Sequence, residues 1–329
     1  MLARRILLCR LGGIGDVIQT LPFVRFLRNK YKNASIEYLT SENVCELLVN
    51  CSPDIDKVWV CKEKNRKQLA NKIINNQADK VDYFFNLHGS WSFFFFNMVY
   101  IKARKYFQYR KNKNMHAALN FARVYDPTLS FFNLDSRVLN GEDSCELLEK
   151  YGLEKNKYVC FVIGVGSLRP NRNWPFVNWL TLAREFLNVK KDFKVVFLGG
   201  VDEENKFRES IDIKSNRFVN LLGKLTLSSN AQIISASDGV VSCDTGLLHL
   251  TSALGKKVVG LFGPTLPERT GPFSTNDTNS KVLVAKNCEC VGLKQCKKNN
   301  ESWGYCMDSL KVEDILVEMF REPSLQSVR

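Results

Sequence analysis

Short apolar runs alternate with amphipathic stretches along most of the chain. In the first half RILLCR, SIEYLT, KVWV, DYFFNL and KYFQY have the length and residue types of strands. PFVRFLRNKY and ENVCELLVNC between them carry apolar positions at helical spacing. A polar interval, NGEDSCELLEKYGLEKN at 140–156, breaks the pattern. It then restarts with YVCFVIGVG, FKVVFLGG, RFVNLLG, DGVVSCD and KVVGLFG, separated by helical stretches such as PFVNWLTLAREFL and NAQIISASD. SLKVEDILVEMFRE closes as a terminal helix. Continuous apolar strands separated by helices indicate parallel sheets covered on both faces. The pattern predicts an α/β protein of two Rossmann-like domains, residues 1–150 and 151–329. The carboxyl ends of their parallel sheets are expected to face a central cleft.

Composition changes this picture in two respects. The formal net charge of +13 over 329 residues suggests an anionic partner, whether nucleic acid, a membrane face or a phosphorylated substrate. Eleven cysteines would suit a secreted disulfide framework. However, MLARRILLCRLGG has too short an apolar core for a signal peptide and no small-residue cleavage site. Seven cysteines (9, 45, 51, 61, 145, 160 and 243) lie scattered in strand-like or apolar stretches, where the thiol acts as a small hydrophobe. No apolar run reaches the roughly 18 residues needed to cross a bilayer. A cytoplasmic, reduced protein is expected.

Chemistry gathers at the ends of the strand-like runs. RLGGIGD places Gly12, Gly13 and Gly15 between a strand and a helix and follows them at once with Asp16. A dinucleotide fingerprint would need a third glycine where Ile18 stands, with Glu37 as the ribose-binding acid. Another reading is a tight turn with no ligand. A third is a loop whose backbone approaches a substrate closely while a carboxylate is aimed at it. GVGSLRPNRNWP offers Gly164, Gly166 and Ser167 for backbone contact, and Arg169 and Arg172 for bidentate contact with a diphosphate; the alternative is a rigid connector. In FLGGVDEE, Glu203 and Glu204 could hold a ribose or stand as solvated acids in a first helical turn. SCDTGLLHL sets Asp244 and Thr245 at a strand end and Gly246 at a helix start, where free amides bind phosphate. His249, on the first turn, reads first as packing or as support for its neighbours. Phe262, Gly263, Pro264 and Thr265 end the next strand.

RLGGIGDVIQTLP, NRNWP, DTGLLHL and FGPT, in this order over nearly the whole chain, resemble glycosyltransferase family 9, the bacterial heptosyltransferases of lipopolysaccharide inner-core synthesis. The resemblance implies a GT-B fold, with the acceptor on the first domain and a nucleotide-sugar donor on the second. It implies Asp16 as catalytic base, Arg172 at the donor diphosphate and Glu204, or its neighbour Glu203, at the ribose. Asp244, Thr245 and Gly246 would bind donor sugar and phosphate, with His249 beside them. Gly12, Gly13, Gly15, His88, Arg104 and Arg110 fall on the acceptor side, within an aromatic and basic region that suits an anionic, lipid-linked glycan. Phe93 to Phe96 could be core and the basic run a solvated face; since four consecutive phenylalanines cannot all point inward from one helix, a partner or the inner membrane is expected to cover part of that surface.

The implied reaction inverts the anomeric centre, uses ADP-heptose as the best-known donor, and needs no catalytic cofactor. Cys288, Cys290, Cys296 and Cys306 supply the right number of thiolates for a structural zinc or iron, although their spacing is not that of paired C-x2-C motifs. Cysteine clusters occur in this region in part of the family, and some bind metal. Two other readings remain open here, a nucleotide-cofactor oxidoreductase and a non-catalytic basic binder of nucleic acid or membrane surface. The chain carries no recognised nucleic-acid module, so no nucleic-acid partner is expected.

Overall fold

The computed structural model describes residues 3–62, 66–76, 79–141, 144–166, 169–207, 215–273, 279–293, 296 and 304–321. The chain forms two compact units, Met1–Asn140 and Gly141–Arg329.

The first unit runs β1 (Arg5–Cys9), α1 (Ile14–Ile18), α2 (Leu21–Lys30), β2 (Ser35–Thr40), α3 (Glu42–Cys51) and β3 (Lys57–Val60). It continues through α4 (Arg66–Asn75), β4 (Tyr83–Asn86), α5 (Trp91–Phe96) with a π-helical turn at Asn97–Ile101, β5 (Lys105–Gln108) and α6 (Ala117–Ala122). Its sheet is wholly parallel in the order β3-β2-β1-β4-β5. Leu7 sits opposite Glu37 on one side and Phe84 on the other. Beneath the sheet, Leu7, Phe84, Phe93 and Ile73 pack into a common core.

The second unit begins with α7 (Cys145–Lys150), then β6 (Tyr158–Val162), α8 (Phe176–Val189), β7 (Lys194–Leu198), α9 (Val201–Phe207), β8 (Phe218–Asn220) and α10 (Leu227–Ala236). It ends with β9 (Gly239–Cys243), α11 (Gly246–Ala253), β10 (Val258–Phe262), α12 (Pro267–Thr270), β11 (Ser280–Val284) and α13 (Val312–Phe320). The parallel sheet has the order β11-β10-β9-β6-β7-β8. Strands β1, β6, β9 and β10 are buried at every residue, as expected of sheets covered on both faces.

Two details differ from the expectation. The division falls after Asn140 rather than after residue 150, because α7, inside the polar interval, packs on α10 and belongs with the second unit. Strand β11 was not expected. It is a half-buried edge strand whose SKVLV pattern is weak. Among the described residues no helix is long and apolar enough to cross a membrane.

Both sheets change winding direction once, at β1/β4 and at β6/β9. Open parallel sheets bind ligands beyond the carboxyl ends of their strands at such points, because the connections diverge there and leave a crevice.

Candidate active site

At the first switch point the chain leaves β1 through Gly12, whose φ of +117° lies in the region that favours glycine. Gly13 caps α1 in an extended conformation, Gly15 enters its first turn, and Asp16 follows on that turn. The Asp16 side chain is 55% exposed, and its Oδ2 lies 2.9 Å from Nη2 of Arg10. Arg10 is itself anchored. Its Nη1 donates to the Leu87 carbonyl at 3.1 Å, and its guanidinium carbon stands 5.4 Å from the Phe121 ring centroid. The carboxylate is thus held on a fixed cation while staying open to solvent. No role for Arg10 was expected from the sequence, although it begins the same RLGGIGD run; only the folded loop returns it to Asp16.

His88 joins this edge from β4. Its amide donates to the Cys9 carbonyl at 2.9 Å, and Nδ1 lies 3.2 Å from the Leu11 carbonyl. A carbonyl can only accept, so Nδ1 carries the hydrogen and Nε2 of the neutral ring is an acceptor. Burial, and then the Arg10 charge, hold the imidazole below its ordinary value. Arg110 is exposed just past the carboxyl end of β5, on the same edge of the sheet as Asp16.

Arg104 is not. It precedes β5 and pairs with Asp82, which precedes β4, at 3.2 Å. In a parallel sheet that is the opposite edge, so the structure separates Arg104 from the other acceptor-side residues. The oxidoreductase reading fails on Glu37. That side chain is fully buried and accepts from Arg5 at 2.5 and 3.1 Å and from the Trp59 indole at 2.6 Å, which leaves nothing for a ribose.

At the second switch point the late motifs converge. Asp244 directly follows β9, and its carboxylate is buried. Its Oδ2 lies 3.0 Å from Nη1 of Arg172 and accepts from the Thr265 hydroxyl at 2.7 Å. Nε2 of His249 stands 3.8 Å from Oδ1. Arg172 also donates to the Asp244 carbonyl at 3.3 Å. Thr245 caps α11 by accepting the Leu248 amide, and Gly246 opens the helix toward the same edge. Thr265, quoted from the FGPT run without an assigned role, therefore belongs to the node.

The two adjacent acids have different surroundings. Glu203 is buried and accepts from the Gly166 and Gly200 amides at 3.1 Å each. Gly164, at φ +86°, lets it do so, since a Cβ there would fall 2.2 Å from the Glu203 Cγ. Glu203 is thus spent on shaping the loop after β6, while Glu204 lies half-buried beside Gly223. Ser167 lies outside the described residues.

The cysteine segment packs under this node. The Gly292 amide donates to the Pro264 carbonyl at 2.9 Å, and Asn171 donates to the Leu293 carbonyl at 3.1 Å. Cys306 and Met307 fill the space where a side chain on Gly263 would stand. Cys290 and Cys296 bring their sulfurs to 3.7 Å, and the Tyr305 amide donates to the Cys296 sulfur at 3.4 Å. Burial, with the neighbouring Cys288, Cys290 and Cys296 thiols, pushes the Cys306 thiol up to about 12. Among the described residues no three or more His, Cys, Asp or Glu side chains are arranged to hold a metal ion.

The sequence profile of glycosyltransferase family 9 (heptosyltransferase) matches residues 102–300, more than half of the chain. The chain belongs to glycosyltransferase family 9. It is a glycosyltransferase with two parallel-sheet α/β domains of the GT-B type. This family 9 member is 24% identical over 346 residues to lipopolysaccharide heptosyltransferase 1 of Campylobacter coli, covering 95% of this chain and 97% of that protein. Lipooligosaccharide heptosyltransferase 2 of Haemophilus influenzae is 27% identical over 157 residues, a match spanning 46% of this chain and 42% of that protein. The structure of E. coli ADP-heptose lps heptosyltransferase II has the same fold, with a TM-score of 0.74 at 17% identity, over 96% of this chain and 97% of that one.

Proposed function

We propose that this family 9 glycosyltransferase moves a heptose from ADP-heptose to a hydroxyl of a lipopolysaccharide-core acceptor, with inversion and without a catalytic metal. The observation that carries the reading is the Arg172–Asp244–Thr265 node at the β6/β9 switch point, directly ahead of the helix that Gly246 opens. The heptosyltransferase relatives, and the donor named for the E. coli enzyme of the same fold, support the choice of sugar and nucleotide. In this reading the first domain binds the acceptor and the second the donor.

Asp16 takes the proton of the acceptor hydroxyl as its oxygen bonds to the anomeric carbon, and the bond to the diphosphate breaks on the opposite face. A carboxylate is a weak base toward an alcohol, so it assists only as bond formation makes the hydroxyl acidic. Arg10 keeps the carboxylate in position for that moment. The departing diphosphate gathers negative charge. Arg172 and the first amides of α11 meet it with fixed positive charge and dipole, which is the part a divalent cation would otherwise play. Glu204 is assigned to the ribose, since its neighbour Glu203 is engaged with backbone amides.

We propose a structural zinc or iron at Cys288, Cys290, Cys296 and Cys306 on the number of thiols they supply; the described side chains are not gathered around an ion, and the Cys290 and Cys296 sulfurs stand 3.7 Å apart. Such an ion would brace the Pro264 and Asn171 loops and take no part in the transfer.

The test is a thermal-shift screen of ADP-, GDP-, UDP- and CMP-sugars, followed by a transfer assay in chelator. The largest stabilisation should come from the ADP-sugar, and turnover should survive chelation. Stabilisation by another nucleotide alone would overturn the donor assignment. Activity abolished by chelator and restored by magnesium alone would overturn the metal-free mechanism.

A further inference from the structure

Helix α5 and its π turn bury one side and leave the other bare. Phe93, Phe96, Asn97 and Ile101 point into the domain. Trp91 is 72% exposed, Phe95 53%, Met98 52% and Val99 52%. Positions i, i+4, i+7 and i+8 form one stripe along the helix. The π turn sets its far end. The Lys102 amide reaches back five residues to the Asn97 carbonyl at 2.7 Å, and the buried Asn97 side chain accepts the Ala103 amide at 3.1 Å. The extra residue in that turn brings Met98 and Val99 outward together.

The surroundings of the stripe are cationic. Lys102, Arg104 and Lys105 are exposed where the helix ends, and Lys67 and Lys72 are exposed on α4, which packs against the π turn. Between Asp82 and Asp126 the sequence has seven lysines and arginines and no aspartate or glutamate. Single exposed apolar residues are ordinary, but a tryptophan-led stripe flanked by exposed lysines, and by Arg104 paired with Asp82, fits a surface that is apolar beneath and anionic above. We propose that this face of α5 seats on an anionic phospholipid bilayer, with Trp91 and Phe95 in the headgroup–acyl boundary and the lysines and arginines on the phosphates. The helix starts three residues after His88, at the edge of the sheet that carries Asp16. Resting on the proposed transfer reading, the contact would hold that edge where a lipid-linked acceptor is displayed.

The experiment is co-sedimentation with phosphatidylethanolamine vesicles containing phosphatidylglycerol, set against pure phosphatidylcholine vesicles. The variants are Trp91→Ser/Phe95→Ser and, on the charged border, Lys102→Glu/Lys105→Glu. Wild type should bind the anionic vesicles in a salt-sensitive manner and the neutral ones weakly. The apolar double variant should keep its melting temperature and lose at least about tenfold in partitioning. The charge variant should lose binding mainly at low salt. Transfer to a water-soluble acceptor fragment should be equal in wild type and the apolar variant, and transfer to a vesicle-borne acceptor should fall. Undiminished vesicle binding by the apolar variant, or no preference of wild type for anionic lipid, overturns the proposal. A wild-type dimer that the double variant breaks, without vesicle binding, assigns the face to a second copy of the chain and overturns it too. Vesicle binding that behaves as stated while no acceptor is ever glycosylated sustains this inference and removes the transfer reading instead.

Discussion

Arg172→Ala tests the donor node in both of its aspects, affinity and stability. Removing the guanidinium takes away charge-assisted hydrogen bonds to a diphosphate, worth roughly 1.5–3 kcal/mol. At about 1.4 kcal/mol per decade, donor affinity should fall about ten- to 150-fold. The structure adds a second effect, since Arg172 also partners Asp244, whose side chain is only 4% exposed. Stripping one member from a buried pair typically costs about 3–5 kcal/mol. Here Arg172 is 21% exposed, so the pair is incompletely desolvated, and the Thr265 hydroxyl still donates to the carboxylate at 2.7 Å. We therefore expect a smaller loss, about 2–3 kcal/mol, or about 4–12 °C in Tm for a unit of this size. The assay is a thermal melt and a donor titration on Arg172→Ala, Asp244→Asn and the double variant. The double variant leaves no buried charge unpaired, so its melt should lie well above the sum of the single losses, while donor affinity stays low. An unchanged melt for Arg172→Ala, or strictly additive losses, would refute the energetic argument; unchanged donor affinity would remove Arg172 from the site.

Asp16→Asn should lower turnover by about 10²–10⁴-fold and leave both the melt and nucleotide-sugar binding intact, because the side chain is half exposed and works only in the transition state. Retention of more than about a third of turnover, with chemistry rate-limiting, sinks the base assignment. His88 predicts a pH dependence. Its native pKa lies below the ordinary 6.5, so the unfolded chain takes up that proton first as pH falls. Its contribution is whole above the unfolded value and is lost as pH drops through the native one. His88→Gln should therefore lose less Tm than wild type between about pH 7 and pH 5, and parallel Tm–pH curves would exclude the effect. Protein purified without chelator should carry about one equivalent of zinc or iron, and Cys296→Ser should lose it and melt lower. Metal-free protein of undiminished stability shows ordinary thiols.

Much of this protein is legible in the one-dimensional pattern. Strands such as RILLC and VVGLF are buried on both faces, so their apolar runs are continuous and their type is plain. The glycine turns and the DTG and GPT runs mark strand ends for an equally local reason, since φ values such as that of Gly12 demand glycine and helix starts demand a cap. The short edge strand β11, and α7 within a polar interval, carry too little pattern to be read, because half-burial weakens periodicity.

Partnership lies beyond the pattern altogether. Arg104 and Arg110 are six positions apart and equally basic, yet β5 runs between them and puts them at opposite ends of a sheet. Glu203 and Glu204 are adjacent and identical in chemistry, and only the helix turn decides that the first is consumed by the Gly166 and Gly200 amides. Arg172 meets Asp244 across 72 residues, and Thr265 meets it across 21. The sequence determined which segments are the buried strands and where chemistry could gather. Strand order and helix rotation, set by the burial of the whole core at once, decided which of those groups share a charge.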